Sequence, residues 1–333
     1  MTSLRVAVLG GGRSSEHEIS RASAASIRQG LGEAGHDPIE IEVGRDGVWR
    51  RDGEQLSLAP GAGLAGADVV FPALHGPFGE DGTVQGLLEC LGIAYVGAGV
   101  LTSALCLDKV MFKRLMAEAG VPQVDYRGVR VDQFQADRQQ ALTRMSELGL
   151  PMFVKPARLG SSVGIARVAD RQELAPALEA AFTHDPLVIG EAAAVGLEAE
   201  CAVLGNQQPI ASEPGEIRVR TRGVGWYDYQ AKYTPGGMEL VVPAHVPPAV
   251  RDRIRWLALE VYRLTGCCGL ARVDFFVVGE EVLVNELNTM PGFTATSVFP
   301  ALFEASGIPY PEVLDRLVTL ALERFEAERR HTF

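Results

Sequence analysis

Two strand-like runs, Ala271-Arg272-Val273-Asp274 and Leu283-Val284-Asn285-Glu286-Leu287-Asn288, carry guanidinium, carboxylate and amide groups at alternate positions. Gly279-Glu280-Glu281 separates them. A three-residue turn there predicts Val278 opposite Val282, Asp274 opposite Glu286 and Arg272 opposite Asn288, with all four polar groups on one sheet face. A two-residue turn would send Glu286 to the face away from Asp274. Neighbouring carboxylates repel unless a cation lies between them. With an amide oxygen added they form a hard-oxygen set suited to Mg²⁺, whose other ligands are waters and phosphates. Arg272 beside such an ion would stabilise a transferring phosphoryl group. A solvated hairpin face is the bland alternative, but valine, phenylalanine and leucine fill the intervening positions.

Of the 31 basic residues only four are lysines: Lys109, Lys113, Lys155 and Lys232. A lysine is a compact point charge that suits a phosphate oxygen. Lys155 stands in an otherwise apolar run followed by Gly160-Ser161-Ser162. A tight turn of small residues presents backbone N–H groups and two hydroxyls to an anion, and burying the lysine demands a partner. The Gly10-Gly11-Gly12 turn is weaker, since it is not GxGxxG and a plain strand-to-helix turn explains it equally well. No Gly-Lys pair exists to build an ordinary P-loop. Residues 225–233, rich in tyrosine and flanked by glycine, arginine and proline, have the composition of a lid, although the tyrosines could equally pack.

These groups need elements to hold them. A strand at 5–9, the glycine turn, a helix at 20–32 and strands at 39–43 and 67–73 form an alternating unit with a parallel sheet. Ligands bind beyond the carboxyl ends of such strands, where the polar loops 13–18 and 75–83 lie. A helix is expected at 103–119, then a strand at 151–157, a return strand at 163–168, a helix at 171–183 and a strand at 186–189. Strands at 199–204, 272–278 and 282–287 and a helix at 311–329 complete the chain.

The length of 333 residues predicts two or three packed units, and 47% apolar with 22% charged residues is a globular balance. A net charge of −11 argues against nucleic-acid binding by phosphate neutralisation. Five cysteines without a CxxC pair suggest a reducing compartment and no structural zinc. The longest uncharged run, 90–107, is interrupted by glycines, so a soluble, cytoplasmic protein with no membrane partner is expected.

Taken together, GGRSSEHEIS (11–20), HGPFGEDGT (75–83), VGAGVLTSALCLDK (96–109), FVKPARLGSSVG (153–164), YDYQAKY (227–233), ARVDFF (271–276) and NELNTMPGFTATS (285–297) resemble the D-alanine–D-alanine ligases of the ATP-grasp superfamily. The resemblance covers essentially the whole length. It implies an α/β and α+β fold: an N-terminal Rossmann-like parallel-sheet domain at 1–97, a central ATP-grasp subdomain at 98–191, and a C-terminal subdomain at 192–333 with the metal site and lid. It implies ATP-dependent joining of two D-alanines through an acyl phosphate, for peptidoglycan precursor synthesis, in a homodimer. Position by position, Lys109, Lys155, Ser161, Ser162 and Lys232 match the phosphate contacts, and Glu191 and Glu198 the adenine and ribose contacts. Asp274, Glu286 and Asn288 match the ligands of two magnesium ions, replaceable by manganese, with Glu286 bridging. Arg272 and the Gly292 N–H match the oxyanion donors. Glu16 and His75 match first-substrate contacts, Ser297 the second-substrate carboxylate contact, and Ser161 with Tyr233 the pair that joins Glu16 in a lid-closing triad. Leu159 replaces a common acidic residue. The hinge Glu191-Ala192-Ala193-Ala194 lacks the usual lysine and aromatic residue, which predicts adenine recognition by backbone groups. Lys232-Tyr233 favours D-alanine as second substrate over D-lactate, while a relative using D-serine or D-lactate is the alternative. A nicotinamide oxidoreductase would leave the lysine hairpin and the Asp274 set without a role.

Overall fold

The structure is a computed structural model and describes residues 3–219 and 237–331. Three sheets lie in succession among the described residues. The first is built from β1 (Arg5–Gly11), β2 (Asp37–Val43), β3 (Trp49–Arg51), β4 (Glu54–Gln55), β5 (Val69–Pro72) and β6 (Ala94–Tyr95), in the order β4-β3-β2-β1-β5-β6. β1 runs parallel to β2 and β5, as the helix α1 (His17–Glu33) and the apolar runs require. The helix α2 (Thr83–Leu91) follows β5, so both polar loops emerge at the carboxyl ends of β1 and β5.

The expected helix over 103–119 is two helices, α3 (Val100–Leu107) and α4 (Lys109–Glu118). Asp108 breaks the run: its extended backbone ends α3, and its carboxylate accepts from the Val110 and Met111 N–H groups to cap α4. The second sheet, in the order β7-β10-β8-β9, uses β7 (Tyr126–Arg130), β8 (Met152–Pro156), β9 (Ala166–Val168) and β10 (Leu187–Ala192). Helices α5 (Val131–Ala136), α6 (Arg138–Ser146) and α7 (Arg171–Phe182) accompany it. The return strand expected from 163 begins only at Ala166, because Ser161 and Ser162 take left-handed backbone (φ 51° and 57°) and keep the tip out of the ladder.

The third sheet runs β14-β13-β11-β15-β16, with β12 (Ile210–Ala211) beside β11. Its strands are β11 (Leu197–Gly205), β13 (Gly215–Val219), β14 (Met238–Val241), β15 (Gly269–Val278) and β16 (Glu281–Asn288). Helix α8 (Pro248–Leu264) covers one face, with Ile254, Leu257 and Val261 packed beside Val273, Phe275 and Val284. The last helices, α9 (Val298–Ala305) and α10 (Tyr310–Glu328), reach back to the first sheet. Leu314, Leu317 and Phe299 share one core with Val6, Val8, Ile27 and Phe71. Phe293, in the loop between β16 and α9, is wholly buried there and stacks edge-on against Phe71 at 5.4 Å. Burying such a ring is worth about 2–3 kcal/mol, so that loop is anchored in the N-terminal core. No helix among the described residues is long and apolar enough to cross a membrane.

Candidate active site

The β15–β16 hairpin places Asp274 opposite Glu286 and Arg272 opposite Asn288, as expected, but by a different route. Val278 pairs with Glu281, so the turn is the two residues Gly279 and Glu280, with Gly279 at φ 64°. From Phe275, paired with Val284, to Asp274, paired with Glu286, the register jumps by one, leaving Asn285 as an extra residue. This β-bulge restores the face that the shorter turn would have lost.

Arg272 forks onto Asp274, with Nε and Nη2 each 2.7 Å from a carboxylate oxygen, and Nε also lies 2.8 Å from Glu200 Oε2. Asn288 Nδ2 donates to Asp274 at 3.0 Å, and turning that amide over would present its oxygen instead. Lys109 Nζ lies 3.5 Å from Glu286 and donates to the Leu159 carbonyl at 2.9 Å. Among the described residues no group of three or more His, Cys, Asp and Glu could hold a metal, so a divalent ion would rest on two carboxylates and an amide. The donors fit: hard oxygens side by side, presently covered by Arg272 and Lys109, can exchange those cations for Mg²⁺.

Asp274 and Glu286 face a cleft of about 410 Å³, which Lys109, Lys155, Ser161, Ser162, Glu191 and Glu198 also line. That size suits a nucleotide-scale ligand. Lys155, on β8, pairs closely with Glu191 Oε2 on β10, and Lys113 Nζ lies 3.4 Å from Oε1. Burial pulls the Lys155 ammonium down, but Glu191 and Glu286 outweigh it and hold its pKa above the ordinary value. Burial likewise pushes Glu191 up, yet Lys155 and Lys113 bring it below the usual carboxylate range. The left-handed Ser161 and Ser162 each carry strain of order 1–3 kcal/mol, as tightly built binding loops do.

A second cavity of about 360 Å³ is lined by Glu16, His75, Ser161, Arg272, Asn288, Gly292 and Ser297. Ser161 donates a short hydrogen bond to Glu16. Gly76 sits over this carboxylate at φ 73°, where a Cβ would lie 2.6 Å from Glu16 Oε2. His75 Nδ1 donates to the Met290 carbonyl at 3.2 Å, since a carbonyl only accepts, and Nε2 lies 3.0 Å from the Ser23 hydroxyl. Ser297 Oγ accepts from the Thr294 N–H at 3.0 Å and faces Gly292. The two cavities share Gly160 and Ser161 and are divided by the polar face of the hairpin. Lys232 and Tyr233, with the rest of 225–233, lie outside the described residues.

Comparison with known proteins decides the family. The model of the D-ala D-ala ligase C-terminus matches residues 115–319, and that of the N-terminus matches 5–63 and 53–98. The chain belongs to the D-alanine–D-alanine ligase family. It is 46% identical to the D-alanine–D-alanine ligase of Deinococcus radiodurans, covering 96% of this chain and 98% of that one. It is 42% identical to the Geobacillus kaustophilus ligase, covering 99% and 97%. Its structure superposes on the Coxiella burnetii D-alanine–D-alanine ligase with a TM-score of 0.86 at 35% identity, covering 99% of this chain and 97% of that one. The VanG D-Ala:D-Ser ligase of Enterococcus faecalis gives 0.84 at 34%, covering 96% and 100%. The fold is the ATP-grasp fold of these ligases.

Three features of this family member were not identified from sequence. Glu200 is buried beside Arg272, one alternation along β11 from Glu198, so strand periodicity could have marked it. Lys113 stood in the lysine census with no local sequence to single it out. Ser26 and Tyr310 hold the loop 289–297: Ala295 N–H donates to Ser26 Oγ at 3.1 Å, Ser26 lies 3.1 Å from Tyr310 Oη, and Tyr310 donates to the Phe293 carbonyl at 2.9 Å. These two are 284 residues apart, and no local pattern announces the pairing.

Proposed function

We propose that this protein is an ATP-dependent, cytoplasmic ligase that joins two D-alanines to D-alanyl-D-alanine for peptidoglycan precursor synthesis. The observation that carries this reading is the meeting of two cavities across one hairpin face. Asp274 and Glu286 face the cleft suited to nucleotide, while Arg272 and Asn288 face the cavity with Glu16, Gly292 and Ser297.

The chemistry follows from that layout. A carboxylate is a poor acyl donor, so the first D-alanine must take the γ-phosphoryl of ATP to become an acyl phosphate. Glu16 would hold its ammonium, with Ser161 and His75 fixing the pocket around it. Lys109, Lys155, Ser161, Ser162 and Lys232 would cradle the phosphates, with Glu198 at the ribose and the Glu191 segment at the adenine. Ala192 and Ala193 already give their N–H groups to Asp125 and Pro151 carbonyls, so the hinge amide left for adenine is that of Ala194. Asp274, Glu286 and Asn288 would hold magnesium, or manganese in its place, whose charge would neutralise the phosphate oxygens. Arg272 would follow the transferring group. With the Gly292 N–H it would then stabilise the oxyanion formed when the second amine attacks. Ser297 would hold the second substrate's carboxylate, and Tyr233 would close the site.

Three units at 1–97, 98–191 and 192–333, assembled as a homodimer, complete the reading, and the succession of three sheets supports the division. The test is phosphate release from ATP and Mg²⁺. It should require D-alanine and not respond to L-alanine, and D-alanine should outcompete D-serine and D-lactate as second substrate. ATP turnover indifferent to the stereochemistry of alanine would refute the proposal.

A further inference from the structure

Lys113 has no part in the reaction above, yet at 1% exposure it is the most deeply buried cation among the described residues. Its Nζ has no hydrogen-bond partner among them, and the charge beside it is Glu191 Oε1 at 3.4 Å. Burying an ammonium for packing alone is costly, and methionine would fill the same space without that cost. The other oxygen of Glu191 pairs with Lys155, which lines the 410 Å³ cleft.

We infer that Lys113 is a positioning residue of the nucleotide site. By sharing Glu191 with Lys155, it leaves the buried triad with one net positive charge directed at the phosphates. This rests on the reading of the cleft as the ATP site. Without Lys113, Glu191 would cancel Lys155 and the triad would be neutral. The cleft also holds Glu198, Glu200, Asp274 and Glu286; of its other cations Lys109 is already engaged with Glu286 and Arg167 is exposed to solvent, so one uncancelled buried charge matters there. In a low-dielectric interior that charge is felt across the cleft. Burial pulls the Lys113 ammonium down and Glu191 opposes it, so the charge on Lys113 depends on the carboxylate it shares.

The readout is the ratio of ADP to adenosine affinity, measured by calorimetry with Mg²⁺ present. Lys113→Met should weaken ADP roughly tenfold or more while adenosine binds as before, the order expected of one unit charge at an effective dielectric near 20. Lys113→Met combined with Glu191→Gln leaves Lys155 uncancelled, and its ratio should return to within about threefold of the parent's. ADP binding unchanged in Lys113→Met would overturn the inference. So would an equal loss for ADP and adenosine, which marks a structural role, or a double variant as weak as the single one. Should Lys113→Met not fold, the double variant decides by the same ratio: near the parent it supports the inference, and tenfold below it the inference fails. A parent protein that binds no ADP would overturn the nucleotide reading itself, and this inference with it.

Discussion

Tyr310 has one hydroxyl proton and gives it to the Phe293 carbonyl, so the Ser26 hydroxyl must donate to Tyr310 while accepting from the Ala295 N–H. The direction of every bond in this chain is therefore set, and it begins and ends on the loop that carries Gly292 and leads to Ser297. Burial pushes the Tyr310 phenol up to about 12, so it keeps its proton at any working pH. Tyr310→Phe should cost about 0.5–1.5 kcal/mol of stability. It should also raise KM for the second D-alanine several-fold, with KM for ATP and for the first D-alanine near the parent values. Initial-rate kinetics fitted for two D-alanine sites check this, and equal shifts at both sites would show that packing alone holds the loop. At this scale the sequence revealed groups that their own strand sets on the wall of the cleft, such as Asp274, Glu286 and Lys155. It concealed those that act through a partner far along the chain. Glu200, Lys113 and Tyr310 acquire their partners only when separate elements meet.

The hairpin shows how an element can reach an expected end by unexpected means. Side-chain alternation and the demand for adjacent carboxylates made the pairing of Asp274 with Glu286 legible, but the turn length was not, because a two-residue turn with a bulge serves as well as three residues. Deleting Asn285 removes the bulge and still leaves Glu286 beside Asp274. Deleting Leu283 instead would move the buried Val284 off the core face and bring Asn285 into it, opposite Phe275. The Asn285 deletion should keep Mn²⁺ affinity within about tenfold and lower Tm modestly. The Leu283 deletion should cost several kcal/mol through the buried polar group and the lost packing. Paramagnetic Mn²⁺ titration and thermal melts separate the two, and equal damage from both deletions would overturn the register argument. The split of the expected 103–119 helix has a similar cause: apolar spacing continues across Asp108, but its carboxylate competes for the backbone of the next turn.

Across the whole molecule, charge buried between elements makes stability depend on pH. Glu191 has its folded-state pKa depressed by Lys155 and Lys113 against the opposing push of burial. Its contribution is therefore complete above the unfolded carboxylate value of about 4.3 and is lost as pH falls through the lower folded value. Tm should drop between pH 5 and pH 3, and Glu191→Gln should show a shallower decline over that window. Parallel slopes for the two proteins would place acid sensitivity elsewhere. The parallel part of the first sheet, β2-β1-β5-β6, and its loops were legible at this scale because apolar runs alternate with a helix, whereas the antiparallel edge of β3 and β4 was not. The docking of α9 and α10 onto that sheet was not, since an amphipathic helix declares a buried face without naming its partner. That docking has a consequence for how the protein is made. Leu314, Leu317 and Phe299 complete the core begun by Val6, Val8 and Phe71. A ribosome therefore emits these strands long before the helices that shield them, and the nascent chain must carry an unclosed apolar face until residues 299–317 have followed.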